Sequence, residues 1–169
     1  MARWFGKHGK DYPWRRTREP YEVLVSEVML QQTQISTVLG KGYYTGFLRV
    51  FPDVHALANA DDATLLKAWE GLGYYRRARM LRETARAVID RHGGRFPARV
   101  DELLKLPGIG PYTAGALRAF AFQKPAVLVD GNTMVDGVQP DGDLAYADGD
   151  VNNGTGPDVR SAGYTNSPF

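Results

Sequence analysis

The stretch LLKLPGIGPYTAGAL, residues 103–117, constrains the fold more than any other part of the chain. Residues 100–106 read as a short helix, Pro107 to Gly110 as a tight turn, and Pro111 to Phe122 as a second helix. Gly108 and Gly110 permit a turn that side chains with a Cβ resist. Pro111 falls at the first helical position, where its missing N–H would have no partner anyway. Ala114, Gly115 and Ala116 are small enough to let the second helix pack closely. Main-chain N–H groups point outward from such a helix start and, with the positive helix end, can seat a phosphate oxygen. An ordinary corner between two helices shares this outline. The full Leu-Pro-Gly-Ile-Gly spacing favours the phosphate-binding reading.

This is the pattern of a helix-hairpin-helix DNA-binding element, and the rest of the chain suits it. YEVLVSEVMLQQTQISTVL, residues 21–39, reads as one helix with Leu24, Val28, Ile35 and Val38 on an apolar stripe. A second helix is predicted around 43–50, ended by Phe51-Pro52, and a third over 62–70 behind an aspartate cap. Arg76 to His92 carries Ala78, Leu81, Ala85, Val88 and Ile89 on one face, and Gly93-Gly94 stops it. Short helices, short loops and no alternating strand pattern argue for an all-α helical bundle. AVLV at 126–129 is too short to assign.

A hydrophobic content of 43% is enough for a core. There is no cysteine, which excludes disulfides, thiolate-held zinc and cysteine-ligated iron–sulfur clusters in this chain. His8, His55 and His92 make no metal-ligand spacing, so no metal and no small-molecule cofactor are expected. Without a secretory signal or a membrane-length apolar run, a soluble, cytoplasmic protein, nucleoid-associated if bacterial, is the expectation; a monomer is expected as well. The net charge of +2 hides a split, +8 through residue 129 and −6 from Asp130 onward. The basic body suits double-stranded DNA as partner, although charge alone describes a solvated basic face equally well.

GLGYYRRARML, residues 71–81, offers a turn, two adjacent aromatics and three arginines. Tyr74 and Tyr75 are suited to stacking on or wedging between bases, and Arg76, Arg77 and Arg79 to meeting phosphates. Beside the hairpin motif, that reading outweighs a tyrosine packed next to a solvated basic helix. SEVMLQQTQ, residues 26–34, sets one carboxylate, Glu27, among apolar and amide side chains. Gln31 and Gln34 would follow it by one and two turns on roughly the same face.

PWRRTREPYEVLVSEVMLQQTQ, GLGYYRRAR, LPGIGPYTAGAL and VDGN occur in the order seen in adenine DNA glycosylases. From about Trp14 to Asn132 the chain resembles that family, which belongs to the endonuclease III-like helix-hairpin-helix superfamily and removes adenine mispaired with guanine or 8-oxoguanine. The resemblance implies the six-helix barrel of those enzymes, Glu27 as the catalytic glutamate, and Asp130 with Asn132 at the sugar. It implies Gln31 as a wedge with Gln32 beside it, Tyr75 inserted next to the lesion, and Arg15 in the adenine pocket. The hairpin residues Gly108, Gly110 and Thr113 would contact DNA. Tyr112 stands where strand-cutting relatives carry a Schiff-base lysine, so hydrolysis without lyase activity is implied. An acid that must protonate adenine needs a raised pKa, which an apolar pocket supplies. Two carboxyls with separated pKa values are the glycosidase arrangement.

The chain departs from the family after Asn132. The family continues with a basic helix and a four-cysteine iron–sulfur loop; here VDGVQPDGDLAYADGDVNNGTGPDVRSAGYTNSPF is acidic, glycine-rich and without period. The expected organisation is an N-terminal segment over 1–20, a glycosylase domain over 21–122, a short return over 123–135, and a disordered tail over 136–169. A truncated or chimeric product with impaired activity is expected. A non-catalytic duplex-DNA-binding fragment, and an endonuclease III-type pyrimidine-lesion glycosylase/lyase, are the alternatives.

Overall fold

Pro20 opens the helix around which the rest of the molecule packs. The computed structural model describes residues 12–125, 128–130 and 133–135. Its helices are α1 (Pro20–Leu30), α2 (Ile35–Gly40), α3 (Tyr43–Val50), α4 (Val54–Ala58), α5 (Asp62–Ala68), α6 (Arg76–His92), α7 (Val100–Leu103) and α8 (Pro111–Ala116). A 3-10 turn at Pro13–Arg15 precedes α1, and a π-helical segment, Leu117–Ala121, continues α8. The fold is all-α, with one addition. Two three-residue strands, β1 (Leu128–Asp130) and β2 (Thr133–Val135), pair antiparallel, with Leu128 opposite Val135 and Asp130 opposite Thr133.

Helix α1 is apolar around almost its whole circumference, as a central helix must be. From Tyr21 to Leu30 only Glu22 and Glu27 keep partial exposure. It packs against α3, α6, α8 and the π-helical segment. The Tyr21 hydroxyl donates to the Phe51 carbonyl at 2.8 Å, which ties α1 to the end of α3. Trp69 fills the space beneath α3, edge-on to Phe47 with centroids 5.5 Å apart. Trp14 packs edge-on against Tyr44, so the 3-10 turn is seated on the same core.

Local signals set several boundaries as expected. The Asp61 carboxylate accepts from the Thr64 N–H at the start of α5. At the end of α6, Gly93 adopts φ +60°, and the N–H groups of Gly93 and Gly94 return to Ile89 and Val88. Ala78, Leu81, Ala85 and Val88 are buried along α6.

Other boundaries differ. The expected helix over 21–39 is two helices, because the chain turns at Gln31–Gln34 and Gln32 takes φ +55°. Gln31 and Gln34 therefore share no helix face with Glu27. Helix α4 is unannounced by any long period; Asp53 caps it, accepting from Ala56 N–H at 2.8 Å. The second hairpin helix changes from α to π at Leu117. Gly108 is left-handed at φ +75°, but Gly110 is extended and caps α8 with its backbone alone. The expectations for residues 1–11, for Asn132 and for the 136–169 tail lie outside the described residues.

Candidate active site

Glu27 projects from the last turn but one of α1, between buried Ser26 and buried Val28. The residue retains some exposed surface. Its carboxyl nevertheless lies deep enough that burial, the sole cause, pushes its pKa up to about 7. Removing a carboxylate from water penalises the charged form, and no cation offsets that penalty here. Glu27 can therefore hold a proton near neutrality and also release one, which suits a general acid that later acts as a base.

Two turns of chain meet at the C-terminal end of the helix that carries this acid. The first, Gln31–Thr33, follows α1 directly; Gln31 is half-buried, Gln32 exposed and left-handed. The second, Gly71–Tyr75, leads into α6; Tyr74 is 66% exposed at φ +46° and Tyr75 is 40% exposed. Exposed aromatics of this kind can stack on or wedge between bases. Arg76 is exposed on the first turn of α6.

Arg77 corrects an expectation. Its guanidinium does not reach outward to phosphates but turns inward between the two turns. One terminal nitrogen lies within hydrogen-bond range of the carbonyls of Val28 (3.1 Å), Met29 (3.2 Å) and Gln31, and of the Thr33 hydroxyl. The other donates to the Leu72 carbonyl at 3.1 Å and reaches the Gly73 carbonyl at 3.4 Å. The cation lies over the rings of Trp69 and Tyr74, 5.6 and 5.5 Å from their centroids. Helix C-terminal carbonyls and aromatic faces are good company for a partly buried cation, so this arginine is engaged internally.

The hairpin is fastened to α6. The Thr84 hydroxyl donates to the Pro107 carbonyl at 2.6 Å, and Arg91 donates to the Lys105 carbonyl at 2.9 Å. A Cβ on Gly108 would come within 2.3 Å of Met80 Cγ, so the turn rests directly on α6. Thr113 is another correction: the whole residue is 5% exposed and sits in the core. Tyr112 is half-buried at the second position of α8. Strand β1, which ends in Asp130, lies against α8, and α8 also packs on α1. The backbone thus sets Asp130 and Glu27 on elements that share one neighbour. Arg15 is exposed, with its guanidinium 5.3 Å from the Tyr12 ring centroid.

Sequence reasoning missed Thr33, Trp69 and Thr84. Thr33 and Thr84 are buried hydroxyls in a polar-looking context, and Trp69 donates its indole N–H to the Gly73 carbonyl at 3.1 Å. The only available signal was the absence of any exposed role for a tryptophan next to a Gly-Leu-Gly turn.

The chain matches the profile of the HhH-GPD superfamily base excision DNA repair protein over residues 25–135. It belongs to that superfamily. Among curated relatives, human adenine DNA glycosylase is 44% identical over 141 residues, covering 78% of this chain and 26% of the relative. The adenine DNA glycosylase of Mycolicibacterium smegmatis is 42% identical, covering 78% of this chain and 45% of the relative. This chain thus spans less than half the length of either. A solved thermostable thymine-DNA glycosylase superposes with a TM-score of 0.70 at 34% identity, covering 77% of this chain and 59% of that one. A non-covalent endonuclease III–DNA complex superposes at 0.64 and 28% identity, covering 78% and 59%.

The iron–sulfur cluster that the resemblance implies does not fit the residues present. The chain has no cysteine, and among the described residues no group of three or more His, Cys, Asp or Glu could hold a metal. Among those residues, no helix is long and apolar enough to cross a membrane.

Proposed function

We propose that this chain carries the catalytic glutamate and the DNA-wedging turns of a glycosylase that hydrolyses adenine from A:G and A:8-oxoguanine mispairs. The observation that carries the reading is the Glu27 carboxyl, pushed up to a pKa of about 7 by burial alone, on a helix whose end holds the turns that expose Gln32, Tyr74 and Tyr75. The relatives named adenine DNA glycosylase support the choice of base.

The duplex must give up the adenine before its glycosidic bond is reachable. Tyr74, Tyr75, Gln31 and Gln32 fill the gap, while the Gly108–Gly110 turn holds a phosphate. Arg76 adds attraction to the backbone. Glu27 gives its proton to an adenine ring nitrogen. The C1′–N9 bond then breaks with its electron pair passing to the base, leaving an oxocarbenium-like sugar. The Asp130 carboxylate stabilises that positive charge and Asn132 orients the sugar. Water adds to C1′ and its proton returns to the Glu27 carboxylate, so the acid is regenerated. Tyr112 carries a phenol, which cannot form the imine that a lysine forms, so the strand stays intact. Arg15 would meet the extruded base only if it left the Tyr12 ring.

The test is single-turnover adenine release from an A:8-oxoguanine duplex with protein in excess. Release by this chain that disappears in Glu27→Gln supports the reading. No release, with tight and strongly salt-dependent duplex binding, would leave a DNA-binding protein instead. Strand cleavage trapped by borohydride would indicate the lyase chemistry.

A further inference from the structure

Two residues with side chains adopt left-handed backbone in the turns that meet at the end of α1: Gln32 at φ +55° and Tyr74 at φ +46°. Neither residue type favours that region, so each conformation persists only where its surroundings impose it. The carbonyls just before them, those of Gln31 and Gly73, are both within hydrogen-bond range of one side chain, Arg77. The same guanidinium takes the α1 carbonyls of Val28 and Met29 and the turn carbonyl of Leu72. Its Nε is buried without a hydrogen-bond partner among the described residues. A cation is placed here at some cost, which argues for a task beyond filling space.

We infer that Arg77 is a positioning residue that locks the Gln31–Thr33 turn and the Gly71–Tyr75 turn to the end of the glutamate helix as one unit. With both turns fixed to α1, the wedge side chains and the acid keep a constant separation, so extrusion of a base delivers it to Glu27. This rests on the glycosylase reading for its consequence in catalysis, but the mechanical coupling stands apart from it. Only a planar fork spans both turns; a lysine at this position keeps the charge and reaches one of them.

The experiment compares Arg77→Lys with the unaltered chain. Amide hydrogen exchange should accelerate about tenfold or more in residues 29–34 and 71–75 together, with the 106–111 hairpin unchanged. Adenine release from duplex should fall about tenfold, release from an unpaired adenine in single-stranded DNA should change less than about threefold, and duplex affinity should stay within about threefold. Exchange that rises in one turn only, in neither, or uniformly over the molecule would overturn the proposal. So would equal losses on duplex and single strand, which mark general destabilisation. If the unaltered chain releases no adenine, the glycosylase reading fails, and hydrogen exchange alone still decides whether Arg77 couples the turns.

Discussion

Replacing Glu27 by glutamine should make the fold less sensitive to pH, and the size of the effect follows from burial. The carboxyl is shifted from an ordinary 4.5 to about 7. Between those values the native protein keeps a proton that the unfolded chain has released. Stability therefore falls as pH rises, starting near 4.5 and ending once the native group ionises near 7. Below that window the native and unfolded states are both protonated and Glu27 contributes its full share. Above it, the cost of burying the carboxylate amounts to roughly 3 kcal/mol. Glutamine has nearly the same shape and does not titrate. Urea unfolding of both proteins from pH 4 to pH 8.5 isolates the difference, because all other groups titrate alike in each. Glu27→Gln should be close to wild type at pH 4 and more stable by roughly 3 kcal/mol at pH 8, or about 6–12 °C in Tm. A stability difference that stays flat across the range would refute the argument that burial raises this group.

Further outcomes are expected elsewhere. Gly108→Ala meets Met80 at a backbone angle unfavourable to alanine, and should cost about 1–3 kcal/mol in thermal unfolding while weakening duplex binding. Tyr74→Ala and Tyr75→Ala remove exposed rings, so unfolding should change by under about 1 kcal/mol while adenine release from duplex falls. Asp53→Ala removes the cap of α4 and should lower stability by about 1 kcal/mol with catalysis unaffected, as denaturant melts beside release rates would show.

Much of the architecture could be read from local chemistry. The α6 period, its Gly93 stop and the Asp61 cap on α5 are each decided within a few residues, so the sequence carries them directly. The break after Leu30 is different. Gln31, Gln32 and Gln34 are good helix formers, and the turn at Gln32 depends on carbonyls captured by Arg77, more than forty residues away. No window over 21–39 contains that information. The five-residue α4 is too short for periodicity, and its Asp53 cap just after Pro52 was the only cue.

The site divides in the same way. On its residues alone Glu27 reads more readily as a solvated helix glutamate; the family resemblance singles it out, and packing of the helices around it raises its pKa. Arg77 misleads because an arginine in Tyr-Tyr-Arg-Arg-Ala-Arg looks outward-facing until its helical phase is fixed against α1. Thr113 misleads similarly: it stands in the hairpin motif, yet the residue is buried in the core. Residues at Asp130 enter through the backbone path of β1 beside α8, which no reading of AVLVD could place.

The most direct test of the central claim is a carbon-13 NMR titration of the Glu27 side-chain carboxyl, assigned by comparison with Glu27→Gln. A midpoint near pH 7 is expected, so that a large share of the protein carries the proton that the proposed mechanism gives to adenine. A midpoint close to 4.5 would show an ordinary ionised glutamate, and the account of this chain as an adenine-protonating glycosylase would fall with it.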